Sequence, residues 1–184
     1  MKSFLLSIIS LVIFLNYSIA QFPSSKMIVL VKAGKLKMNK KEVSKEWKLS
    51  TFTASLDTFS RKKDGANRVH TYDNFGIILF EPAPKKMPAG SVAEFQIILD
   101  EIEPSTITPK SFYEGKLTIE KMDFVRSTSI EEIRKKLTDY KEIDTDENEK
   151  YRFAKDGIYI YFLYNKYKKL SKITFGKDKL TQKN

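Results

Sequence analysis

The sequence predicts an α+β protein of two pseudo-symmetric repeats, each a small antiparallel sheet with one packed helix. Three observations predict it. The segment "GKLKMNKKEVSKEWKLSTFTASL" from Gly34 returns in outline as "GKLTIEKMDFVRSTSIEEIRKKL" from Gly115, an offset of 81 residues. Within each copy the apolar rhythm passes from alternation to helical spacing and back to alternation. Between the copies lies "EIEPSTITPKSFYEG", whose Pro104 and Pro109 are poor members of a sheet ladder and mark a boundary.

The offset holds position by position. Leu36 falls on Leu117, Met38 on Ile119, Leu49 on Ile130, Phe52 on Ile133, Leu56 on Leu137 and Phe59 on Tyr140. It continues without a gap through Tyr72 and Phe153, Gly76 and Gly157, Ile77 and Ile158, Leu79 and Ile160, and Phe80 and Tyr161. The expected organisation is a leader over 1–20, a first repeat over 21–103, a second over 104–178 and a basic polar tail over 179–184.

The leader reads "MKSFLLSIISLVIFLNYSIA". Lys2 supplies a positive start, Phe4 to Leu15 an apolar core, and Ser18-Ile19-Ala20 a small-residue cleavage signal before Gln21. That core is short for a membrane span, and no cluster of Lys or Arg follows it. An exported protein, periplasmic or extracellular and not membrane-spanning after cleavage, is the expectation. The chain holds no Cys, so lipid attachment at a cysteine, disulfides and thiolate metal sites are all excluded.

Each copy then follows one plan. A strand at Lys35–Met38 or Lys116–Glu120 puts Leu36 and Met38, or Leu117 and Ile119, on one face. A helix follows, with Ile130, Ile133 and Leu137 as its apolar stripe in the second copy. Thr128 or Ser129 is its candidate cap, Glu131 and Glu132 suit its positive end, and Arg134, Lys135 and Lys136 suit the other. In the first copy Leu49, Phe52 and Leu56 form the stripe, with Ser50 as candidate cap. The polar runs "RKKDGANR" and "IDTDENEK" read as turns. Hairpins centred near Asp73–Gly76 and Ala154–Gly157 come next, Asp156-Gly157 being a favoured hairpin dipeptide. Ala93–Leu99 and Lys169–Phe175 are expected to close the two sheets. The Pro-rich loop "EPAPKKMPAG" inserts length into the first copy only.

Candidate chemistry is sparse. His70, the one histidine, falls where the other copy has Tyr151, and so reads as a half-buried strand position rather than a general base. The acidic run Asp144–Glu149 lacks the glycine and closing glutamate of a calcium loop. No Gly-rich phosphate cradle is present. Asp73 and Asp156, the carboxylates a hydrolase would need, sit in turns that explain them structurally. No catalytic residue, metal or cofactor is expected.

The net charge of +10 favours acidic partners, but the basic residues are interspersed with acidic ones as on a solvated surface. Nucleic acid is not an expected partner, because Arg-rich patches interleaved with aromatics are missing and the leader directs export.

The strand "GIYIYFLYN" is apolar on both faces. Ile158, Ile160 and Phe162 point one way, and Tyr159, Tyr161 and Leu163 the other. "GIILF" does the same, with Ile78 and Phe80 opposite Ile77 and Leu79. If the helices cover one face, Ile78, Phe80, Tyr159, Tyr161 and Leu163 form a binding surface on the other. The competing reading is that both faces are internal.

The order strand, helix beginning "TSIEEIRKKL", then hairpin ending "YRFAKDGIYIYFLYN" resembles the tandem-repeat architecture of the beta-lactamase inhibitor protein and of small outer-membrane assembly lipoproteins with that repeat. It is similar as well to other secreted domains of the same style. The resemblance spans roughly Gly34 to Phe175. It implies a sheet or loop face presented to another protein. The disulfides of the inhibitor and the lipidated cysteine of the lipoproteins have no counterpart here, so binding residues are not carried over.

Together these readings give a non-enzymatic module that binds another envelope or extracellular protein, of an inhibitor or immunity type. The alternative is a carbohydrate- or lipid-binding module in which Tyr159, Tyr161, Tyr164 and Tyr167 line a groove on an aromatic sheet face.

Overall fold

A computed structural model describes residues 27–56, 59–83, 87–146 and 150–177, with the side chains of 144–146 left aside. The leader, the basic tail and residues 147–149 of the acidic run lie outside the described residues.

The first half comprises strands β1 (Ile28–Lys32), β2 (Lys35–Met38) and β3 (Lys41–Glu42), helix α1 (Leu49–Leu56), then β4 (Arg61–Lys63), β5 (Asn67–Tyr72), β6 (Ile77–Pro82) and β7 (Glu94–Ile98). The second comprises β8 (Lys116–Ile119), β9 (Met122–Phe124), helix α2 (Ile130–Lys136), then β10 (Lys141–Asp146), β11 (Lys150–Lys155), β12 (Ile158–Tyr164) and β13 (Leu170–Lys177). The order from β2 to β7 is therefore the order from β8 to β13.

The fold class differs from the expected α+β. The protein is mostly β and sandwich-like, with two sheets of five and eight strands, and its described helices are two short ones of eight and seven residues. Two small sheets, one per half, do not form. Instead the last strands of the halves pair with each other, Lys172 to Gly176 of β13 antiparallel to Ile98 to Glu94 of β7. The result is one continuous sheet in the order β10-β11-β12-β13-β7-β6-β5-β4. Local periodicity reports which face a residue takes but not which strand lies beside it, so this junction left no trace in the pattern.

The five-stranded sheet has the order β3-β2-β1-β8-β9, with β1 antiparallel to β2 and parallel to β8. The expectations above contained no strand before Gly34, yet β1 is the element that joins the halves in this layer. Its run "IVLVK", rich in β-branched residues and followed by a left-handed Ala33-Gly34 turn, carries the usual hairpin signal. Tyr113 fastens the junction, its hydroxyl donating to the carbonyls of Met27 and Lys116 at 3.0 and 2.9 Å.

The polar runs read as turns are partly strand as well. Arg61–Lys63 and Lys141–Asp146 form the two outer strands of the large sheet. Ladder hydrogen bonds are made by the backbone whatever the side chain, and charged edge strands discourage edge-to-edge association.

One core fills the space between the layers. Val29, Val31, Leu36, Met38, Leu117 and Ile119 from the small sheet join Phe95, Ile97, Phe153, Ile160, Phe162 and Phe175 from the large one. Both helices contribute. Phe52 and Leu56 of α1, with Ile133 of α2 and Leu137 just after it, are all buried, while Leu49 and Ile130 pack at the margin. The stripes thus lie on equivalent elements.

Local signals account for α2 better than for α1. Ser129 caps α2 in a reciprocal box, its Oγ accepting from the Glu132 N–H at 3.2 Å while Glu132 Oε2 accepts from the Ser129 N–H at 2.7 Å. Thr128 is not the cap; it is buried, and its Oγ1 accepts from the Val125 N–H. Ser50 does not cap α1 either, because the helix begins one residue earlier. The Leu49 N–H donates to the Gly90 carbonyl at 2.7 Å instead. That partner arrives from the far end of the Pro-rich loop, out of reach of any local rule.

Leu137, 2 % exposed, gives the packing a direct check. Leu137→Ala is expected to cost about 2–5 kcal/mol in urea melts, the range for a buried leucine whose site does not collapse. A loss well under 1 kcal/mol would show that the second stripe does not anchor its helix.

Candidate functional site

The outer face of the eight-stranded sheet, turned away from the core, gathers all five residues expected to form a surface. Registers place them in cross-strand rows. One row runs Ala154, Tyr159, Gly176, Glu94, Phe80 and Val69. The next runs Arg152, Tyr161, Thr174, Gln96, Ile78 and Thr71. A third holds Lys150, Leu163, Lys172 and Ile98. The inner side of the same strands carries Ile77, Leu79, Ile158, Ile160 and Phe162, all in the main core.

The chain itself covers the first half of this face. Val69, Ile78 and Ile98 are buried under Ile102, Ile107 and Phe112, which belong to the segment expected to be an inter-repeat boundary. Ile78, 1 % exposed, is therefore interior rather than presented, and Phe80 is half-buried at the margin. A salt bridge holds the segment down. Arg61 donates from Nε and Nη2 to both Asp73 oxygens at 2.8 and 2.7 Å, and to the carbonyls of Thr106 and Thr108 at 2.8 Å each. Asp73 also accepts from the Lys110 N–H, and Thr71 donates to the Ile107 carbonyl. Gly76 is required here. It sits at φ +64, and a Cβ on it would collide with the backbone of Phe112 and Tyr113.

On the second half, Tyr159, Tyr161 and Leu163 are half-buried. Tyr159 lies across Gly176 so that its hydroxyl reaches the Glu94 carboxylate, and the Arg152 guanidinium stands 4.4 Å from its ring centroid. Gly176 has no positive φ; a Cβ there would meet the ring, so the aromatic and not the backbone requires glycine. Lys172 lies beside Leu163, with its ammonium held below its ordinary value by burial, partly restored by Glu94 and lowered further by Lys150.

Arg152, Lys150, Lys172 and Glu94 were absent from the expected surface. The first two were within reach, because the hairpin about Asp156-Gly157 sets Arg152 opposite Tyr161 and Lys150 opposite Leu163. Glu94 and Lys172 depend on the β7–β13 junction and were not.

The four tyrosines of the proposed groove do not come together. Tyr164 belongs to the inner side, its hydroxyl donating to the Thr128 carbonyl at 2.9 Å, whereas Tyr167 stands on the β12–β13 turn at 61 % exposure. The carboxylates considered for hydrolysis sit in equivalent turns, Asp73 committed to Arg61 and Asp156 at φ +51 beside Gly157. His70 is more deeply placed than a half-buried strand position, at 2 % exposure. Its Nε2 lies 3.1 Å from Glu81 Oε2 and the Phe59 ring is 4.8 Å away. Burial pushes the Glu81 carboxyl up, but hydrogen bonds from His70 and the Gly90 N–H, with the charge of Arg68, outweigh it and hold it below the ordinary value. The pair ties the end of the Pro-rich loop to the sheet, a structural duty.

Among the described residues no cluster of His, Asp and Glu is arranged to hold a metal ion, and no helix is long and apolar enough to cross a membrane. The family model described as "Domain of unknown function (DUF7738)" matches residues 28–134, more than half of the chain. No curated protein and no solved structure matches it.

The salt bridge makes stability depend on acid. Hydrogen bonds from Arg61, against burial and assisted by the Lys110 N–H, hold the Asp73 carboxyl below its ordinary 3.8. The unfolded chain therefore takes up the proton first, so this contribution is complete above pH 3.8 and disappears as pH falls through the lower folded value. Melting temperature should drop across that window, and Asp73→Asn should be less stable at neutral pH but fall less steeply in acid. An unchanged acid limb in Asp73→Asn would remove the bridge from this role.

Gly176→Ala should displace the Tyr159 ring. Combined with Tyr159→Ala it is expected to be less damaging than the sum of the single changes, by about 0.5 kcal/mol or more in a double-mutant cycle. Simple additivity would show that ring and glycine are not coupled.

Proposed function

The chain belongs to the DUF7738 family, and from that premise we propose that it is an exported, non-enzymatic module whose outer sheet face docks another envelope or extracellular protein. One observation carries the reading. A single face of a single sheet is sealed by the chain's own segment over its first half, and bears half-buried Tyr159, Tyr161 and Leu163 over its second. Aromatic residues beside an arginine are what protein interfaces favour.

Arg152, Lys150 and Lys172 share those rows, and the chain as a whole carries a net charge of +10. The partner surface is accordingly acidic. The leader supports export. The common element order at an offset of 81 supports an origin by duplication, in which one copy has covered the shared face with its linker while the other has left it for a partner. The resemblance to the inhibitor and lipoprotein repeats carries the same implication of a presented face.

The decisive experiment is a pull-down from the envelope fraction of the parent cell, with Tyr161→Ala beside the wild type. A stoichiometric protein is expected, its binding weakened by about 2 kcal/mol or more in Tyr161→Ala and reduced by added salt, with the urea midpoint nearly unchanged. A lowered midpoint with unchanged binding would place Tyr161 in the fold and not in an interface. Recovery of a glycan or small molecule without a stoichiometric protein would overturn the reading.

A further inference from the structure

A cleft of about 600 Å³ opens where the outer face ends, between residues 101–104 and the turn joining β12 to β13. Its size is that of a small-molecule site, for which about 300–1,000 Å³ is usual. Ile102 and Pro104 come from one side, and Leu163 and Tyr167 from the other.

Tyr167 is the most exposed large apolar side chain among the described residues, 61 % against 56 % for Val125. The turn that carries it is firmly held. Asn165 Oδ1 accepts from the N–H groups of Tyr167 and Lys169 at 3.0 and 3.1 Å, and the Asn165 backbone exchanges hydrogen bonds with Lys168 and Lys169. Lys168 completes the turn at φ +60. An aromatic ring displayed on a pinned turn loses little entropy when it meets a ligand.

One polar atom at this place is unspent. Because Asn165 Oδ1 serves two backbone donors, the amide orientation is settled, and its buried Nδ2 has no hydrogen-bond partner. Leaving such a donor unpaired is unfavourable, and a ligand able to accept from it would recover part of that cost.

The charge around the cleft narrows the choice. Its ionic groups are Glu101, Glu103 and Lys166, whereas the larger cleft beside Trp47 is lined by Lys35, Lys45 and Lys177 as well as acids. Acidic residues outnumber basic ones in its lining. Lys166 also stands 5.0 Å from the Tyr167 ring centroid, which disfavours a cation on that ring. What fits an aromatic surface, an unspent donor and a lining without excess positive charge is a neutral ring with C–H faces and hydroxyl edges. We propose that this cleft binds a neutral sugar residue, separately from the protein-docking face.

The test is titration of the full chain with neutral trisaccharides of glucose, galactose and N-acetylglucosamine, followed by backbone amide NMR, with inorganic phosphate and methylammonium as charged controls. At least one sugar should bind saturably in the millimolar range, shifting amides at 101–104 and 163–169. Tyr167→Ala should weaken it about tenfold or more. Asn165→Asp keeps an acceptor for the two turn N–H groups and replaces the Nδ2 donor by a carboxylate oxygen, and should weaken it several-fold while the turn stays folded. Tyr161→Ala, a change on the docking face, should leave sugar binding intact, so that either proposal can fail alone. No saturable shift with any sugar, a response only to phosphate or methylammonium, or sugar binding that survives both Tyr167→Ala and Asn165→Asp would overturn the proposal.

Discussion

The antiparallel pairing of β7 with β13 is the contact on which the rest of the structure depends. Each half brings four consecutive strands, arranged from edge to centre in chain order, and the two sets meet along Glu94–Ile98 and Lys172–Gly176. Without that ladder each half would expose the backbone of its last strand as an open edge. With it the molecule has one broad sheet, its outer strands β4 and β10 short or charged. Everything else is arranged by which face of this sheet it covers.

The inner face is covered by the small sheet and the helices. Because β1 lies between β2 and β8, this layer also belongs to both halves at once, and the core it closes is continuous from Val29 to Phe175. Two helices of eight and seven residues are too short to be stable alone. They are held by the burial of Phe52, Leu56, Ile133 and Leu137 on a surface that the sheet provides. In energetic terms they are lids on a β structure rather than the layers of an α+β one.

The outer face is where the two halves differ. Arg61 and Asp73 draw the segment after β7 across Val69, Ile78 and Ile98, and that half becomes interior. In the other half Tyr159 is spent on Glu94 and covered by Arg152, so the sheet is smoothed without being buried. Tyr161 and Leu163 then stand beside Lys150 and Lys172 on a rigid support, and the Tyr167 turn lies at the end of the same strand. The docking face and the sugar cleft are thus proposed on one surface, sharing Leu163 as their border.

By itself the sequence determined the local elements: the β8 strand, the Ser129 cap and the Ile130–Ile133–Leu137 stripe of α2, the glycine turns at Gly76 and Gly157, and the two-faced character of β6 and β12. These follow from side-chain periodicity, capping chemistry and positive φ, all of which act over a few residues. It also placed Ile78, Phe80, Tyr159, Tyr161 and Leu163 on one side of their strands. Only the tertiary structure decided that two four-stranded sets would fuse, that β1 would join the halves, that the supposed linker would bury Ile78, and that Glu94 and Lys172 would lie among the tyrosines. Those outcomes rest on backbone pairing and on contacts between residues far apart in the chain, such as Arg61 with Thr108 and Tyr159 with Glu94. Backbone ladders are indifferent to side-chain identity, and so a sequence pattern shows which face a strand must bury without showing what will cover it.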